Sequence, residues 1–303
     1  MSTKPEPIGS LFPLGGPVPS DLIIGRRGEI DEIGGRLQEG MSTMLSGVRR
    51  IGKTTVCAAV CERLKSQGAL VIEVDVPERP DSRALLQLII DACSRVSLAH
   101  AGRAALRFAR PTIEKLLSEN GVPLDLSMLA REPHELPART VLSLPAELAR
   151  REGKRALLFL DELQRVVDYA DGETVLRDLI DLYGASKDAV VLVDGSNERA
   201  LNGMFGEPVH FGKLVNRIEL DARIPLTSWR EPLTERFSRA GLLLEDAGRE
   251  ELLKWSEGRP YATMAAARYT AQSARRTGSG TATEFDVQMG IDEAERHLRD
   301  DGA

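Results

Sequence analysis

"LSGVRRIGKTTV", Leu45 to Val56, sets two glycines, a lysine and two threonines between an apolar stretch and a helix-forming one. Within it, Gly47-Val48-Arg49-Arg50-Ile51-Gly52-Lys53-Thr54 matches the pattern GxxxxGK[ST] without a mismatch. The chemistry behind that spacing is specific. Glycines let the backbone turn so that successive N–H groups converge on phosphate oxygens. A helix starting at Lys53 points the positive end of its dipole at the same anion. Lys53 is expected at the β- and γ-phosphates and Thr54 on Mg²⁺, with Thr55 counted among the binding residues. The surroundings agree. "MSTMLSG" reads as a short strand entering the loop, and Lys53 to Gln67 as the helix after it, ended by Gly68.

Outward from the loop, "ALVIEVDV" is a β-branched run that reads as a buried strand. Residues 83–98 read as a helix, Thr112 to Glu119 as another, and a further one precedes Gly153. "RALLFLDEL" is an apolar strand that delivers Asp161 and Glu162 together at its C-terminal end. Ligands of open α/β sheets sit outside those ends. Asp161 is expected to hold Mg²⁺ directly or through water, and Glu162 to orient or activate the attacking water. "AVVLVDGSN" is a further strand that brings Ser196 and Asn197 to the same edge. A polar side chain there senses the γ-phosphate or positions water. An ordinary loop after a strand accounts for those two residues equally well. "LVNRIEL" reads as a last strand, and Ile30, Ile33 and Leu37 mark one face of a helix upstream of the loop. Five strands alternating with helices make an α/β domain with a parallel sheet.

From about Arg223 only helices are predicted. Ser228-Trp229-Arg230-Glu231 fits a capping box, and Trp229, Leu233 and Phe237 then recur every fourth residue. A second helix carries Leu252, Leu253 and Trp255 and ends at Gly258-Arg259-Pro260; two more finish the chain. The Pro- and Gly-rich start predicts a flexible tail over residues 1–21, ahead of a P-loop ATPase core over 22–222 and a helical lid over 223–303.

The totals bound the remaining possibilities. The 303 residues carry a formal charge of −6, which does not mark the whole surface as a nucleic-acid binder. No apolar run approaches the roughly 18 residues of a membrane span. The first twenty residues lack the apolar stretch of a signal peptide, so a cytoplasmic location is expected. Three cysteines argue against a disulfide framework. Cys57 and Cys61 share an apolar helix face with Val56, Val60 and Leu64 and are expected as core thiols rather than a metal pair. The four histidines show no ligand spacing.

With the loop and the acidic strand in hand, the chain resembles the archaeal-type ATPases of the STAND branch of AAA+-like P-loop NTPases. The likeness is carried by the GxRRxGKT form of the loop, "IIGRRGEIDEI" before it, "GVPLDLS", "LFLDELQ" and "GRP" at 258–260, in order over roughly residues 22 to 270. The resemblance implies a five-stranded parallel P-loop NTPase (AAA+/ASCE) sandwich with a C-terminal all-helical lid. In that sheet the strand ending at Ser196 and Asn197 lies between the loop strand and the acidic strand. It further implies that Ile24, Gly25 and Arg26 line the adenine side and that Pro260 packs near the base. Relatives often carry "Pro-Leu-Tyr-Gly-Arg" before the last strand, with an arginine that acts across a subunit contact. Here Pro208-Val209-His210-Phe211-Gly212-Lys213 is one residue longer and ends in lysine, which leaves Lys213 and, as a fallback, Arg217 for that role. Arg49 and Arg50 belong to the binding loop. Contact with phosphate, pairing with an acid such as Asp161 or with the adjoining helix, and a structural or lid-contacting role are all open to them, and the last is favoured because Lys53 already supplies charge at the phosphates.

The expected activity is Mg²⁺-dependent binding and slow hydrolysis of ATP, with the nucleotide state setting the lid. ATP is preferred to GTP because no guanine-specific Asn-Lys-x-Asp stretch is present. Two alternatives stand beside it. One is a DNA-handling helper, supported by "RAALRFAR" and "SARRTG". The other is a nucleotide-gated scaffold in signalling or phage defence, which self-assembles with ATP and answers to a protein effector.

Overall fold

The computed structural model of the chain describes residues 4–101, 137–195, 197, 200, 203–204 and 210–300. The expected helix at Thr112 to Glu119, "RAALRFAR" and "GVPLDLS" lie outside these. Two compact units divide the chain: Asp31–Ser46 with Val60–Glu219, and Met1–Ile30 with Gly47–Ala59 and Leu220–Ala303.

The first unit holds the whole main sheet. Its strands are β1 (Thr43–Ser46), β2 (Leu70–Asp75), β3 (Ala156–Asp161), β4 (Ala189–Asp194) and β5 (Asn216–Glu219). They pair in the order β2-β3-β4-β1-β5, all parallel. β4 therefore lies between the loop strand β1 and the acidic strand β3, as the resemblance implies. The inner strands β3 and β4 are apolar along nearly their whole length because both of their faces are covered, and β1 is buried throughout although Thr43 and Ser46 are polar. The edge strands alternate or open to solvent. In-register pairing of β2 with β3 sets Asp75 opposite Asp161.

Around this sheet pack α4 (Arg83–Ala101), α5 (Ala138–Glu152) and α6 (Gly172–Tyr183). α6 buries Val175, Leu176, Leu179 and Tyr183, an i, i+4 stripe, and the Tyr183 hydroxyl donates to the carbonyl of Leu142 at 2.9 Å. α5 stops at Gly153, whose left-handed φ of 62° lets its N–H return to the carbonyls of Ala149 and Arg150.

The second unit is built from helices: α1 (Ile8–Leu11), α7 (Leu226–Arg239), α8 (Asp246–Ser256), α9 (Pro260–Thr277) and α10 (Glu284–Asp300). The expectation of helices alone needs one amendment. Leu243–Leu244 and Thr281–Ala282 form a two-stranded parallel pair, β6 with β7. α7 also starts earlier than its capping box predicts. Pro225 stands at the N-cap with ψ 133°, so Leu226 opens the helix and Ser228 is already inside it. Trp229, Leu233 and Phe237 are buried, as their spacing requires. The tail expected over residues 1–21 is corrected more strongly. Leu11 and Phe12 are fully buried, and the Phe12 ring meets that of Phe237 edge-on at 5.2 Å. Buried Ile8, the Glu6–Arg239 ion pair at 2.8 Å and the N–H of Glu6 on the carbonyl of Arg239 at 2.9 Å hold the segment to this core as well.

Cys57, Cys61 and Cys93 are buried free thiols, and burial pushes the Cys93 thiol up to about 12. Among the described residues no helix is long and apolar enough to cross a membrane.

Candidate nucleotide-binding site

The loop between β1 and α3 (Lys53–Ser66) has the backbone its sequence predicts. Gly47, Arg50 and Gly52 all have positive φ, at 141°, 69° and 94°. A Cβ on Gly47 would lie 2.6 Å from Cδ1 of Ile51 and 3.1 Å from the carbonyl oxygen of Leu220. Glycine is required there for space as well as for torsion. Val48 and Arg49 are exposed at the tip. Lys53 is buried, and its ammonium donates to the carbonyl of Val48 at 2.9 Å, which holds it over the concave side of the loop. Thr54 is half-buried in the first turn of α3. Thr55 uses its hydroxyl oxygen to accept from the backbone N–H of Val18 at 3.2 Å.

Arg26 organises the approach to the loop. Its guanidinium pairs with Glu29 at 2.9 Å and donates to the carbonyls of Ile51 at 3.3 Å and Asp221 at 2.6 Å. Gly25 takes φ 64°, and a Cβ there would collide with Cγ2 of Ile224 at 2.4 Å. Ile224 is held from its other side by Gly258, whose carbonyl accepts its N–H at 2.9 Å. A small cleft results, lined by Ile24, Arg26, Gly52, Thr55, Trp229 and Pro260 among others. Pro260 opens α9 at a position where its missing N–H is no loss. Of the residues implied for the adenine side, Ile24, Arg26 and Pro260 line this cleft beside Ile51 and Gly52 of the loop, and Gly25 does not.

Two further side chains reach this region without having been expected from the sequence. Tyr261 follows Pro260, and the guanidinium of Arg50 lies over its ring, 4.7 Å from the centroid. The Tyr261 hydroxyl is 2.9 Å from Nε2 of His297 on α10. Arg236, buried on α7, lines the cleft and donates to the carbonyls of Leu11, at 3.1 Å, and Leu22. Burial without a carboxylate partner lowers its pKa to about 10. The aromatic after Gly-x-Pro was the available signal for Tyr261. Arg236 gave none.

Within the sheet unit, Asp161 ends β3 with its Oδ1 buried and without a hydrogen-bond partner among the described residues. Burial, then the neighbouring charges of Glu162 and Asp75, push its carboxyl up to about 6. Glu162 follows in the left-handed region, φ 55°, and accepts from Nε2 of Gln164. Asp194, buried at the end of β4, is a further acid on this edge that the sequence reading passed over in favour of the residues after it. Asn197 is exposed, and its side-chain oxygen accepts from the N–H of Ala200 at 3.1 Å. Ser196 lies outside the described residues.

A buried carboxylate oxygen without a proton donor suits a hard cation with oxygen ligands, so Asp161 fits Mg²⁺ by donor type. Lys213 is exposed at the end of a short 3₁₀ turn, and Arg217 donates from Nε to the Ser46 hydroxyl at 2.8 Å, beside the start of the loop. Of the basic stretch at 273–278, Arg275 donates to the carbonyl of Ala240 at 3.0 Å, and Arg276 is exposed.

The parallel sheet of this order with a glycine loop after β1 defines a P-loop NTPase fold, and solved structures share it. The Walker-type ATPase PABY2304 of Pyrococcus abyssi superposes with a TM-score of 0.65 at 17% identity, over 96% of this chain and 76% of that one. The Aeropyrum pernix ORC1 protein, solved in complex with DNA, gives 0.62 at 17% identity over 97% and 71%. The Aeropyrum pernix ORC2 protein, solved with ADPNP and ADP, gives 0.59 at 19% identity over 95% and 71%. No curated protein matches the sequence significantly. Residues 22–193, more than half of the chain, match the AAA ATPase domain family, and the chain belongs to it. It is an ATP-binding, P-loop protein of the AAA class.

Proposed function

We propose that the chain is a Mg²⁺-dependent ATPase of the archaeal-type, STAND-like branch, and that ATP, hydrolysed slowly, biases the helical part against the core. The paired arginines of the loop, "IIGRRGEIDEI" and the Gly-Arg-Pro before α9 support that branch. The functional division is a core over 22–222 and a lid over 223–303. The observation that carries the reading is the buried, unpartnered Oδ1 of Asp161, on a strand end that follows a complete phosphate loop in the chain.

In this reading the backbone N–H groups from Gly47 to Thr55 hold the phosphates, and Lys53 moves from the Val48 carbonyl to the β- and γ-oxygens. Thr54 and Asp161 hold Mg²⁺, which when bound neutralises charge developing on the phosphoryl oxygens. Glu162 accepts a proton from, or orients, the attacking water, and Gln164 holds its carboxylate. Asn197 and Ser196 sense the γ-phosphate. Ile24, Gly25, Arg26 and Pro260 receive the base. Self-assembly in the ATP state and a protein effector belong to the same reading.

The test is titration calorimetry and turnover on purified protein. Lys53→Ala should abolish ATP binding. Glu162→Gln should bind ATP normally and lose on the order of 10²- to 10⁴-fold in turnover. Wild-type turnover by Glu162→Gln would remove Glu162 from the chemistry.

A further inference from the structure

The cleft beside the phosphate loop presents unsatisfied polar groups of one kind. Arg26 Nε and Trp229 Nε1 are both buried, and neither has a hydrogen-bond partner among the described residues. Both line the cleft, and both can only donate. Among the described residues no unpartnered buried side-chain acceptor joins them there. The guanidinium of Arg236, a further polar group on that wall, is also a donor and gives its N–H groups to the carbonyls of Leu11 and Leu22, while the Thr55 hydroxyl oxygen already accepts from the N–H of Val18. Ile24, Ile224 and Met264 supply flat apolar contact.

Leaving a buried N–H unpaired forfeits its hydrogen bonds to water without replacement, so nearly all such groups find acceptors. A tryptophan that serves only to fill a core usually finds a partner for its indole N–H. Two orphan donors in one apolar cleft, with Gly52 and Thr55 on its wall, mark a place for a flat ligand that brings lone pairs in its own ring.

We infer that Trp229 donates its indole N–H to a ring nitrogen of the bound purine, and that with Arg26 Nε it makes the cleft a reader of unprotonated ring nitrogens. The inference rests on the ATP-binding reading above and adds to it how the base is recognised. Adenine offers N1, N3 and N7 as acceptors, whereas guanine carries a proton on N1. A donor facing N1 selects adenine. A donor facing N3 or N7 admits either purine.

The experiment is calorimetric titration of the full chain with ATP, with inorganic tripolyphosphate, and with 1-deaza-, 3-deaza- and 7-deaza-ATP. Trp229→Phe keeps the ring's bulk and removes the donor. It should weaken ATP on the order of tenfold and leave tripolyphosphate unchanged. One of the three deaza analogues should show the same loss on the wild-type chain and no further loss on the variant. The inference is overturned if Trp229→Phe binds ATP as tightly as wild type. It is equally overturned if ATP and tripolyphosphate weaken by the same factor, because the ring then only supports the fold. The deaza titrations on the wild-type chain need no variant, and equal binding of all three with ATP also refutes it. A wild-type chain that binds neither ATP nor tripolyphosphate would instead remove the ATP reading, a different result from a Trp229 variant that behaves like wild type.

Discussion

The guanidinium of Arg50 lies over the ring of Tyr261, 4.7 Å from its centroid. This joins the middle of the phosphate loop to the first turn of α9, and through the 2.9 Å contact of the Tyr261 hydroxyl with His297 it continues to α10. Arg50 also holds a left-handed backbone, φ 69°, where a β-carbon is disfavoured. The stacking therefore stabilises a loop conformation that the residue would not adopt by itself. Arg50→Ala and Tyr261→Leu each remove it, but Tyr261→Leu also removes the contact with His297. A double-mutant cycle separates the two. The coupling between positions 50 and 261 in urea unfolding should be about 0.5–2 kcal/mol. Additive effects would show that the ring and the guanidinium are neighbours without interaction.

Two glycines hold Ile224 in place, and their replacement should be costly for a reason that Gly68 lacks. A Cβ on Gly258 would sit 2.2 Å from the carbonyl oxygen of Ile224, and one on Gly25 would sit 2.4 Å from its Cγ2. Both residues also have positive φ. Gly68 has positive φ too, with nothing within 4 Å of an added Cβ. Gly68→Ala should cost about 1 kcal/mol from the torsion alone. Gly258→Ala should cost about 3 kcal/mol or more, because backbone must move as well. Urea midpoints of the two variants against wild type check the ordering.

Much of this architecture was legible because its causes are local and repeated. β3 and β4 are apolar at nearly every position since each is covered on both faces, and a run like "ALLFLD" has few other uses. The loop was legible because Gly47 and Gly52 both take positive φ, and Gly47 has in addition no room for a Cβ. What stayed hidden depends on distant partners. Leu11 and Phe12 pack against α7, and nothing in a Pro-rich segment announces that. Trp229 reads as a core residue from its spacing, and its orphan N–H exists only once the cleft around it is built. β6 and β7 are two residues each, too short for any period to register.

The packed N-terminal segment makes a direct prediction. Phe12 is fully buried and meets Phe237 at an interplanar angle of 62°. Phe12→Ala should destabilise the chain by about 3–5 kcal/mol, the range for a large buried ring. A flexible tail would tolerate the change without effect. Thermal melts of Phe12→Ala beside Leu14→Ala, a half-buried neighbour, separate the two cases, with the larger shift expected for Phe12.

The carboxyl of Asp161 should make stability depend on pH in the direction opposite to an ordinary ion-paired acid. Burial first, then Glu162 and Asp75, raise its folded pKa from 3.8 to about 6. Below about pH 4 the group is protonated in both the folded and the unfolded chain, and its ionisation costs nothing. As the pH rises from about 4 to about 6, the unfolded chain releases the proton freely while the folded chain resists, so this contribution to stability is lost. Above about pH 6 the penalty is complete, at about 1 kcal/mol once screening at the exposed edge of the group is allowed for. Asp161→Asn cannot ionise and should be more stable than wild type at pH 7.5 without Mg²⁺, with most of that gain gone at pH 4. On the proposed assignment of Asp161 to Mg²⁺, added Mg²⁺ and ATP should reverse the order at pH 7.5, because an amide is a far weaker ligand for the cation than a carboxylate. Melting curves at the two pH values, with and without Mg²⁺ and ATP, check both signs. A variant that gains equally at pH 4 and pH 7.5 would trace the effect to packing rather than to the charge on Asp161.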